Sequence, residues 1–306
     1  MGNLLIVGAG PVGTAAATAA VEDGAVDRVI GVVDPDPSAR HELEVLTGAR
    51  GYASTADLPT GRAGDRAIVA FSSNAEKVAP EIDRLASGGY HVVTTCEGLA
   101  WPARHIWKAM HTAARSNGRV IIVTGANPGF VMDKFSLVAA NASRNVKAII
   151  VTRRVDTSDR RIPLLQKTGR GLTEAEFAAG LASGRLAKEG LVGSIKLLAH
   201  GLKWPNHDVK ETVDPIIVDG VVTGVQHHVR LRSEGRTIDL HLTMDWELDD
   251  CYDEVIIDGE PPLQIRIAGG YHGDRGTTTQ LVNALRYCSQ LEPAFYRPTD
   301  LPLRIG

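Results

Sequence analysis

The chain has 306 residues, which is long enough for two domains and a substantial core. Its apolar fraction of 43% and charged fraction of 23% are ordinary for a soluble globular protein, and its net charge of −3 argues against nucleic acid or an anionic membrane as the main partner. No apolar run approaches a membrane span, no signal peptide is visible, and the three cysteines form no metal spacing, so we expect a cytoplasmic protein.

The first motif is a glycine-rich turn between a predicted strand and a predicted helix. Leu4–Val7 is a short apolar run that leads into Gly8-Ala9-Gly10-Pro11-Val12-Gly13, a G-x-G-x-x-G. Gly8 permits the tight turn, Gly10 lets a pyrophosphate approach the backbone, and Gly13 lets the helix lie close on the strand. The N–H groups at the start of the helix can then hold phosphates. The pattern predicts a dinucleotide site, and the alternative is a tight turn with nothing bound. The predicted cofactor contacts in this loop are Gly8, Gly10, Pro11, Val12 and Gly13.

A second apolar run, Val29–Asp34, ends in an acid 21 residues after Gly13. That is about where a carboxylate accepts hydrogen bonds from an adenosine ribose. Asp34 should repel a 2′-phosphate, whereas Arg40 is close enough in sequence to soften that preference. We therefore predict NAD as the cofactor, with NADP tolerated. A strand-end Asp can also cap a turn.

Strands continue to alternate with helices for some 125 residues. The predicted elements are the helices Ser38–Leu46, Ala75–Ser87 and Ala103–Asn117 and the strands Ala67–Phe71, His91–Thr95 and Val120–Thr124. This alternation predicts a Rossmann-type doubly wound parallel sheet, in a dinucleotide-binding domain at residues 1–129. Ligands of such sheets bind at the carboxyl ends of the strands. The candidate residues at those ends are Ser72, Ser73, Thr95, Cys96, Glu97 and Asn127.

The pattern changes after residue 129. The predicted helices are Phe130–Asn141, Thr173–Gly184 and Leu191–Leu202, and the predicted strands are Val146–Val155, Val225–Arg232, Ile238–Leu248 and Leu263–Ala268. Several of these strands alternate apolar and polar residues, which is typical of an antiparallel sheet with one buried and one polar face. We predict an inserted α+β domain at residues 130–270, built on a mostly antiparallel sheet.

Residues 271–306 are predicted to return to the dinucleotide-binding domain through a helix at Thr277–Leu291. The cleft between the two domains is then the expected substrate site. The polar face of the antiparallel sheet makes a homodimer the expected assembly.

Glu97 is the candidate for proton chemistry. It follows an apolar strand at its carboxyl end, in the layer where a nicotinamide would lie. Partial desolvation should raise the pKa of a carboxylate there towards the working pH. Such a group can take a proton from an ammonium and return it to a leaving hydroxyl. The alternative is a Glu that caps the next helix or pairs with a nearby Lys or Arg.

Three other groups of residues each allow a structural and a functional interpretation. Cys96 could be a nucleophile, but no paired His is identifiable and packing is the commoner role. The histidines His227, His228 and His241 could bind a metal, but alternating strand positions more often form a polar face, so we predict no metal site. The arginines Arg153, Arg154, Arg160 and Arg161 could be surface charge, or one of them could face the cleft and bind a carboxylate.

Several short motifs stand in a fixed order along the chain. They are Thr94-Thr95-Cys96-Glu97, Gly125-Ala126-Asn127-Pro128-Gly129-Phe130, Arg154-Val155-Asp156, Lys167-Thr168-Gly169 and Gly273-Asp274 with Asn283. Taken in this order, they resemble the motifs of the 2,4-diaminopentanoate dehydrogenase and native amine dehydrogenase family, which has a dihydrodipicolinate-reductase-like architecture. The resemblance covers nearly the whole chain. Two positions depart from the family pattern: Gly98 stands where many members have a second acid, and Lys188-Glu189-Gly190-Leu191 replaces the usual G-H-x-G-L.

The resemblance implies a nicotinamide-dependent reductive amination of a ketone or keto acid with ammonia, and the reverse oxidative deamination of an amine. It implies that Glu97 is the catalytic carboxylate. It also implies that Asn127, Arg154 and a histidine of the inserted sheet line the substrate pocket. We predict that this histidine is His241, that Trp101 also contacts the substrate, and that Asn127 and Asn283 contact the cofactor. The alternatives are a dehydrogenase or imine reductase of another substrate on the same scaffold, and a dinucleotide-binding sensor without turnover.

Overall fold

The computed structural model describes residues 2–160, 162–186 and 190–303. In chain order its strands are β1 Leu4–Val7, β2 Val29–Val33, β3 Arg50–Tyr52, β4 Arg66–Val69, β5 His91–Thr94, β6 Ile121–Val123, β7 Arg144–Asp156, β8 Val209–Val218, β9 Val221–Ser233, β10 Arg236–Asp245, β11 Tyr252–Glu260, β12 Leu263–Ala268 and β13 Phe295–Tyr296. Its α-helices are α1 Pro11–Glu22, α2 Pro37–Thr47, α3 Ala75–Ser87, α4 Arg104–Ser116, α5 Lys134–Ala140, α6 Ile162–Thr168, α7 Glu174–Ala182, α8 Leu191–Gly201 and α9 Gly273–Tyr287.

Contacts within the chain separate two units, Met1–Phe130 with His272–Gly306, and Val131–Tyr271. Among the described residues, no helix is both long and apolar enough to cross a membrane.

The first unit is built on a seven-stranded sheet in the order β13-β6-β5-β4-β1-β2-β3, and every pairing in it is parallel. Its central strands are almost wholly apolar because helices cover a doubly wound sheet on both faces. Ile6, Val32, Ile68 and Ile122 have no accessible surface and pack with the alanines of α1 and with α9. The predicted Rossmann-type doubly wound parallel sheet is confirmed.

The second unit is built on a six-stranded sheet in the order β12-β11-β7-β10-β9-β8. Its pairings are antiparallel except that between β7 and β10. Val151, Val229 and Leu240 lie on one face and are fully buried, and helices α5, α7 and α8 pack against strands of this sheet. The predicted α+β architecture on a mostly antiparallel sheet is confirmed.

The opposite face of this second sheet is polar, and we call it the open face. Directly opposed residues on neighbouring strands share a face, so the registers assign its members. They include Ile150, Thr152, Arg154, Gln226, His228, Arg230, Asp239, His241, Thr243, Tyr252, Glu254 and Ile256, most of which keep part of their surface exposed.

Several predicted boundaries were wrong; β9 begins at Val221 instead of Val225, and the last helix ends at Tyr287 instead of Leu291. At three other boundaries a side chain binds a backbone N–H group. The helix predicted at Phe130–Asn141 begins only at Lys134, since the Asp133 carboxylate caps it. The last helix begins at Gly273 instead of Thr277, since His272 Nδ1 accepts from the Arg275 N–H at 3.3 Å. β10 ends at Asp245, whose carboxylate accepts from the next N–H group. The short strands β3 and β13, the acid-containing strand β11 and helix α6 were not predicted.

Candidate functional site

Most of the predicted site residues of the first unit lie at one edge of its sheet. Since all its strands are parallel, their carboxyl ends meet at the same edge. The glycine loop follows β1, Asp34 follows β2, and the serines follow β4. Glu97 follows β5, and the Gly125–Gly129 loop follows β6. Five chain segments are therefore available for one ligand.

The glycine loop has the geometry that a pyrophosphate needs. Gly8 has φ +103°, and a Cβ at Gly13 would stand 2.0 Å from the Gly8 carbonyl oxygen, so neither position admits a side chain without movement. A Cβ at Gly10 would meet no atom within 4 Å, which shows open space beside the backbone. Helix α1 begins with Pro11 and has no side-chain cap at Gly10. The first turn of α1 can therefore donate its N–H groups to phosphates.

Asp34 ties the end of β2 to the glycine loop. Its Oδ2 accepts from the N–H of Ala9 at 2.7 Å, and its Oδ1 accepts from the N–H of Asp36 at 2.9 Å. Arg40 donates from a terminal guanidinium nitrogen to the Asp34 carbonyl oxygen at 2.6 Å. The carboxylate and the guanidinium thus lie together at the strand end. There the carboxylate can repel a 2′-phosphate and the guanidinium can attract it.

The ends of β4 and β5 are joined by backbone contacts. The Gly98 N–H donates to the Ser73 carbonyl oxygen at 3.0 Å, and the Ser72 hydroxyl accepts from the N–H of Asn74 at 3.1 Å. A Cβ at position 98 would lie 3.0 Å from the same Ser73 oxygen and 3.1 Å from the N atom of Ala75. The glycine that departs from the family pattern therefore stands where this backbone leaves little room for a side chain.

Glu97 begins a 3-10 turn, Glu97–Leu99, directly after β5, and it is half-buried. Hydrogen bonds of the buried Thr94 hydroxyl hold the chain just before this turn. The hydroxyl donates to the Val69 carbonyl oxygen at 2.8 Å and accepts from the Cys96 N–H at 3.1 Å. The Glu97 carbonyl oxygen accepts from the Ala100 N–H at 3.1 Å. The backbone under the carboxylate is thus fixed on both sides.

Cys96 has no accessible surface. A nucleophilic sulfur has to reach its substrate, and a cofactor contact needs exposed atoms. Burial therefore favours packing as the role of this side chain, and a contact of Cys96 with the cofactor stays a prediction. Thr95, one residue earlier, is half-buried at the same strand end.

The Gly125–Gly129 loop is closed on itself and bound to α9. Gly129 has φ +143°, and a Cβ there would lie 2.3 Å from the N atom of Gly125. The Ala126 N–H donates to the Thr277 hydroxyl in the first turns of α9 at 3.3 Å. Asn127 is half-buried beside this contact. The fold therefore holds Asn127 in a constrained loop at the carboxyl edge of the sheet.

Two further predicted residues of the first unit have partners elsewhere. The Arg297 guanidinium lies 4.9 Å from the ring centroid of the half-buried Trp101. Asn283 accepts from Arg286, which also donates to the carbonyl oxygen of Asp23 at the end of α1. Since α1 starts at the glycine loop, these contacts hold Asn283 near the far end of that helix.

Arg154 and His241 lie on the open face of the second unit. Arg154 donates from Nε to the Asp250 carbonyl oxygen at 3.0 Å, and its guanidinium lies 6.0 Å from the ring centroid of Tyr252. His241 stacks on His228 directly across the β9–β10 pairing, with ring centroids 4.2 Å apart and planes at 7°. The substrate contacts predicted for Arg154 and His241 stay predictions.

The stacked histidines belong to a charged cluster with Asp239 and Arg230. Asp239 Oδ1 lies 2.9 Å from His228 Nε2 and 2.6 Å from Arg230 Nε. Burial opposes ionisation of Asp239, but the hydrogen bonds from His228 and Arg230 outweigh it and lower its pKa. Burial lowers the pKa of His241, with help from His228 and Arg230 and against Asp239.

Potential metal-binding atoms of His228, Asp239 and His241 lie within 4.8 Å of one another, the one such group among the described residues. The Arg230 guanidinium, hydrogen-bonded to Asp239 Oδ1, places a positive charge beside this group. His227 lies on the other face and pairs with Glu211 at 2.8 Å, so the three histidines of the sequence pattern do not form one site.

The interpretation of Arg153 as surface charge was wrong. It is 5% exposed and binds both carboxylate oxygens of Asp253 at 2.7 and 2.8 Å. The available signal was its register with buried Val151, because residues two apart on a strand share a face. Arg161 and the departing pair Lys188 and Glu189 lie outside the described residues.

Comparisons with known proteins agree with the predicted resemblance. A sequence model described as the 2,4-diaminopentanoate dehydrogenase C-terminal domain matches residues 130–305. A 2,4-diaminopentanoate dehydrogenase of Acetoanaerobium sticklandii is 24% identical over 273 residues, which cover 81% of this chain and 76% of the relative.

Solved structures share the fold at low identity. An amine dehydrogenase from Mycobacterium smegmatis superposes with a TM-score of 0.82 at 17% identity, covering 99% of this chain and 97% of that one. An oxidoreductase from Agrobacterium radiobacter, solved with NAD+, L-tartaric acid and magnesium, gives a TM-score of 0.62 at 11% identity, covering 97% and 91% of the two chains. At these identities the likeness shows the fold.

Proposed function

The chain belongs to the 2,4-diaminopentanoate dehydrogenase family, and from this we propose that it catalyses the reductive amination of a ketone or keto acid with ammonia, and the reverse oxidative deamination of an amine. The chain is an oxidoreductase of the dehydrogenase class. The observation that carries the proposal is Glu97, half-buried on an anchored turn at the sheet edge that also bears the glycine loop.

A nicotinamide dinucleotide is the cofactor that fits the first unit. The open space at Gly10 and the uncapped first turn of α1 suit its pyrophosphate. Bound there, the cofactor would supply the hydride that reduces the substrate carbon. We propose that Asp34 makes NAD the preferred form, and that Arg40 lets NADP be used more slowly. Ser72, Ser73 and Thr95 are proposed to line the same edge.

We propose that Glu97 stabilises positive charge and transfers protons during the reaction. Ammonia adds to the carbonyl carbon and water leaves, which gives an iminium that hydride then reduces to the amine. A carboxylate beside that nitrogen stabilises the developing positive charge. It can also take a proton from the entering ammonium and return it to the departing hydroxyl. Asn127, held in its closed loop, is proposed to hydrogen-bond the substrate.

We also propose that a second copy of the chain covers the open face. Arg230 lies beside Asp239 there, so charges of both signs are available to a copy related by a twofold axis. Ile150 adds an apolar side chain that is 37% exposed. The other proposed partners are small molecules, a ketone or amine and ammonia, with neither nucleic acid nor membrane.

The test is NADH oxidation with a panel of ketones and keto acids, with and without ammonium. The proposal expects consumption that saturates in both carbonyl compound and ammonium, with the amine as product. A rate of NADH oxidation that does not depend on ammonium would instead identify an alcohol-forming dehydrogenase. Tight NADH binding without turnover on ketones or amines would identify a sensor.

A further inference from the structure

Arg153 and Asp253 form a buried ion pair between two neighbouring strands of the second unit. They are directly opposed in the β7–β11 pairing, and they are 5% and 2% exposed. One terminal nitrogen of Arg153 donates to both carboxylate oxygens of Asp253, at 2.7 and 2.8 Å. A buried pair of this kind is weak evidence for stability, because desolvation of the two charges offsets their attraction. Its other contacts point to a different role.

Both members of the pair also hold the backbone of Tyr271. The second terminal nitrogen of Arg153 donates to the Tyr271 carbonyl oxygen at 2.7 Å, and the Tyr271 N–H donates to Asp253 Oδ2 at 2.6 Å. Tyr271 follows Gly269 and Gly270, which have φ +75° and +73°. The pair therefore fixes the chain immediately after a turn that would otherwise leave it several conformations.

The next residues lead from Tyr271 to the loop that carries Asn127. His272 directly follows and caps α9, the helix that begins at Gly273. In this helix the Thr277 hydroxyl donates to the Gly273 carbonyl oxygen at 2.8 Å and accepts from the Ala126 N–H at 3.3 Å. Ala126 is the neighbour of Asn127.

We propose that Arg153 and Asp253 are positioning residues for the reaction. They hold the backbone of Tyr271, the residue bonded to the His272 cap of α9, and Thr277 of that helix binds the loop of Asn127. This inference rests on the proposed function, in which Asn127 contacts the substrate. It also explains why an arginine stands here: its planar fork reaches Asp253 and Tyr271 at once, whereas an ammonium is a single point of charge.

The first test compares Arg153→Lys with Arg144→Met. Arg144 pairs with Glu260 at 2.6 Å on the same two strands, but the two side chains are 69% and 60% exposed. Arg153→Lys is expected to lower kcat/KM for ketone roughly 10- to 100-fold, the scale of a misplaced substrate contact, with the Kd for NADH unchanged. Arg144→Met is expected to leave both values as in the wild type. Equal small effects of the two variants would overturn the proposal.

The second test is a double-mutant cycle with Thr277→Val. Residues that act through one path give non-additive effects, so Arg153→Lys with Thr277→Val should be little worse than the more damaging single variant. Thr279→Val is the matched control, because Thr279 donates only to the carbonyl oxygen one turn back, at 3.0 Å. Additive losses with Thr277→Val, as with Thr279→Val, would contradict the path.

Hydrogen–deuterium exchange supplies a readout besides activity. Exchange in the peptide 121–130 should rise in Arg153→Lys and stay unchanged in Arg144→Met, with the melting temperature recorded for each variant. If the wild type aminates no ketone while exchange responds as expected, the proposed function fails and only the effect of the ion pair on the Asn127 loop stands. If the wild type turns over and neither exchange nor the cycle responds, the positioning role fails. Asp253→Asn repeats the test should Arg153→Lys not fold.

Discussion

Gly98 and Ser73 are in backbone contact where β4 and β5 end, with the Gly98 N–H 3.0 Å from the Ser73 carbonyl oxygen. A Cβ on Gly98 would approach the same oxygen to 3.0 Å. Position 98, next to the candidate catalytic acid, therefore suits glycine because there is little room for a side chain. A side chain at position 98 would require the loop after β4 to move.

Gly98→Ala should destabilise the protein by about 1–3 kcal/mol, the usual cost of extra atoms in a packed site. Gly10→Ala is the contrasting variant, because a Cβ there meets nothing within 4 Å and its φ of −71° suits alanine. It should keep the melting temperature and lose NADH affinity. Thermal unfolding and NADH titration of both variants check this. Equal melting temperatures would contradict the crowding at Gly98.

Glu97→Gln should keep NADH binding and lose about 10²- to 10⁴-fold in kcat, the contribution typical of general acid–base groups. Gln preserves size and some hydrogen bonding, so the loss would report charge and proton transfer. Glu76→Gln is the control, since Glu76 is exposed and pairs with His105 at 3.2 Å. Near-normal turnover in Glu97→Gln would remove the residue from the mechanism. Loss of NADH binding as well would indicate a structural role.

Asp34→Asn should lower the ratio of kcat/KM for NAD over NADP by roughly tenfold or more, because it removes a charge that repels the 2′-phosphate. Asn keeps an oxygen for the Ala9 N–H, so the loop should hold its shape. Arg40→Met should reduce turnover with NADP more than with NAD, whereas Arg50→Met, whose guanidinium lies 5.3 Å from the Tyr52 ring centroid, should change neither. A wild type that favours NADP, unaltered by Asp34→Asn, would refute the role of Asp34.

His91 should make stability fall in acid. Burial, with Arg119 and Arg66 nearby, lowers its pKa from 6.5 to about 4. Between these values the unfolded chain binds the proton and the folded chain does not, so the free energy of unfolding is highest above pH 6.5 and decreases as the pH falls towards 4. His91→Asn keeps an acceptor for the Val120 N–H and should flatten this decrease, whereas His41→Asn, at an exposed position, should not. Urea unfolding at a series of pH values decides it.

Ile150→Asp should convert a dimer into monomers, because it buries a charge in the interface proposed for the open face. Val218→Asp is the control, since Val218 is 53% exposed on β8, at the edge of the same sheet. Sedimentation velocity of the wild type and both variants is the measurement. A monomeric wild type, or a dimer that survives Ile150→Asp, would contradict the proposed assembly.

Sequence periodicity predicted the regular elements well, since α3 at Ala75–Ser87 and β12 at Leu263–Ala268 have the predicted bounds. It failed where the structure depends on a charge or hydrogen bond that a particular polar side chain satisfies. β11 contains Asp253, an acid that a buried strand tolerates only because Arg153 lies opposite. The start of α9 depends on a histidine cap, which is a weak signal in sequence. In the candidate site, spacing identified the glycine loop and Glu97, but no pattern could show that Thr277 binds Ala126 in the loop of Asn127, 151 residues before it in the chain.

The central place of β7 in the second sheet has a consequence for biosynthesis. This strand is the first of its sheet to leave the ribosome, yet its partners on β10 and β11 lie roughly 90 and 100 residues further along. Both of its edges stay unpaired until those strands emerge, and unpaired edges invite association with other chains. Long-range pairing of this kind is also slow. The yield of soluble protein should therefore depend on how quickly the ribosome synthesises residues 236–260. Slower synthesis at lower temperature should change this yield more than a substitution that only stabilises the folded protein.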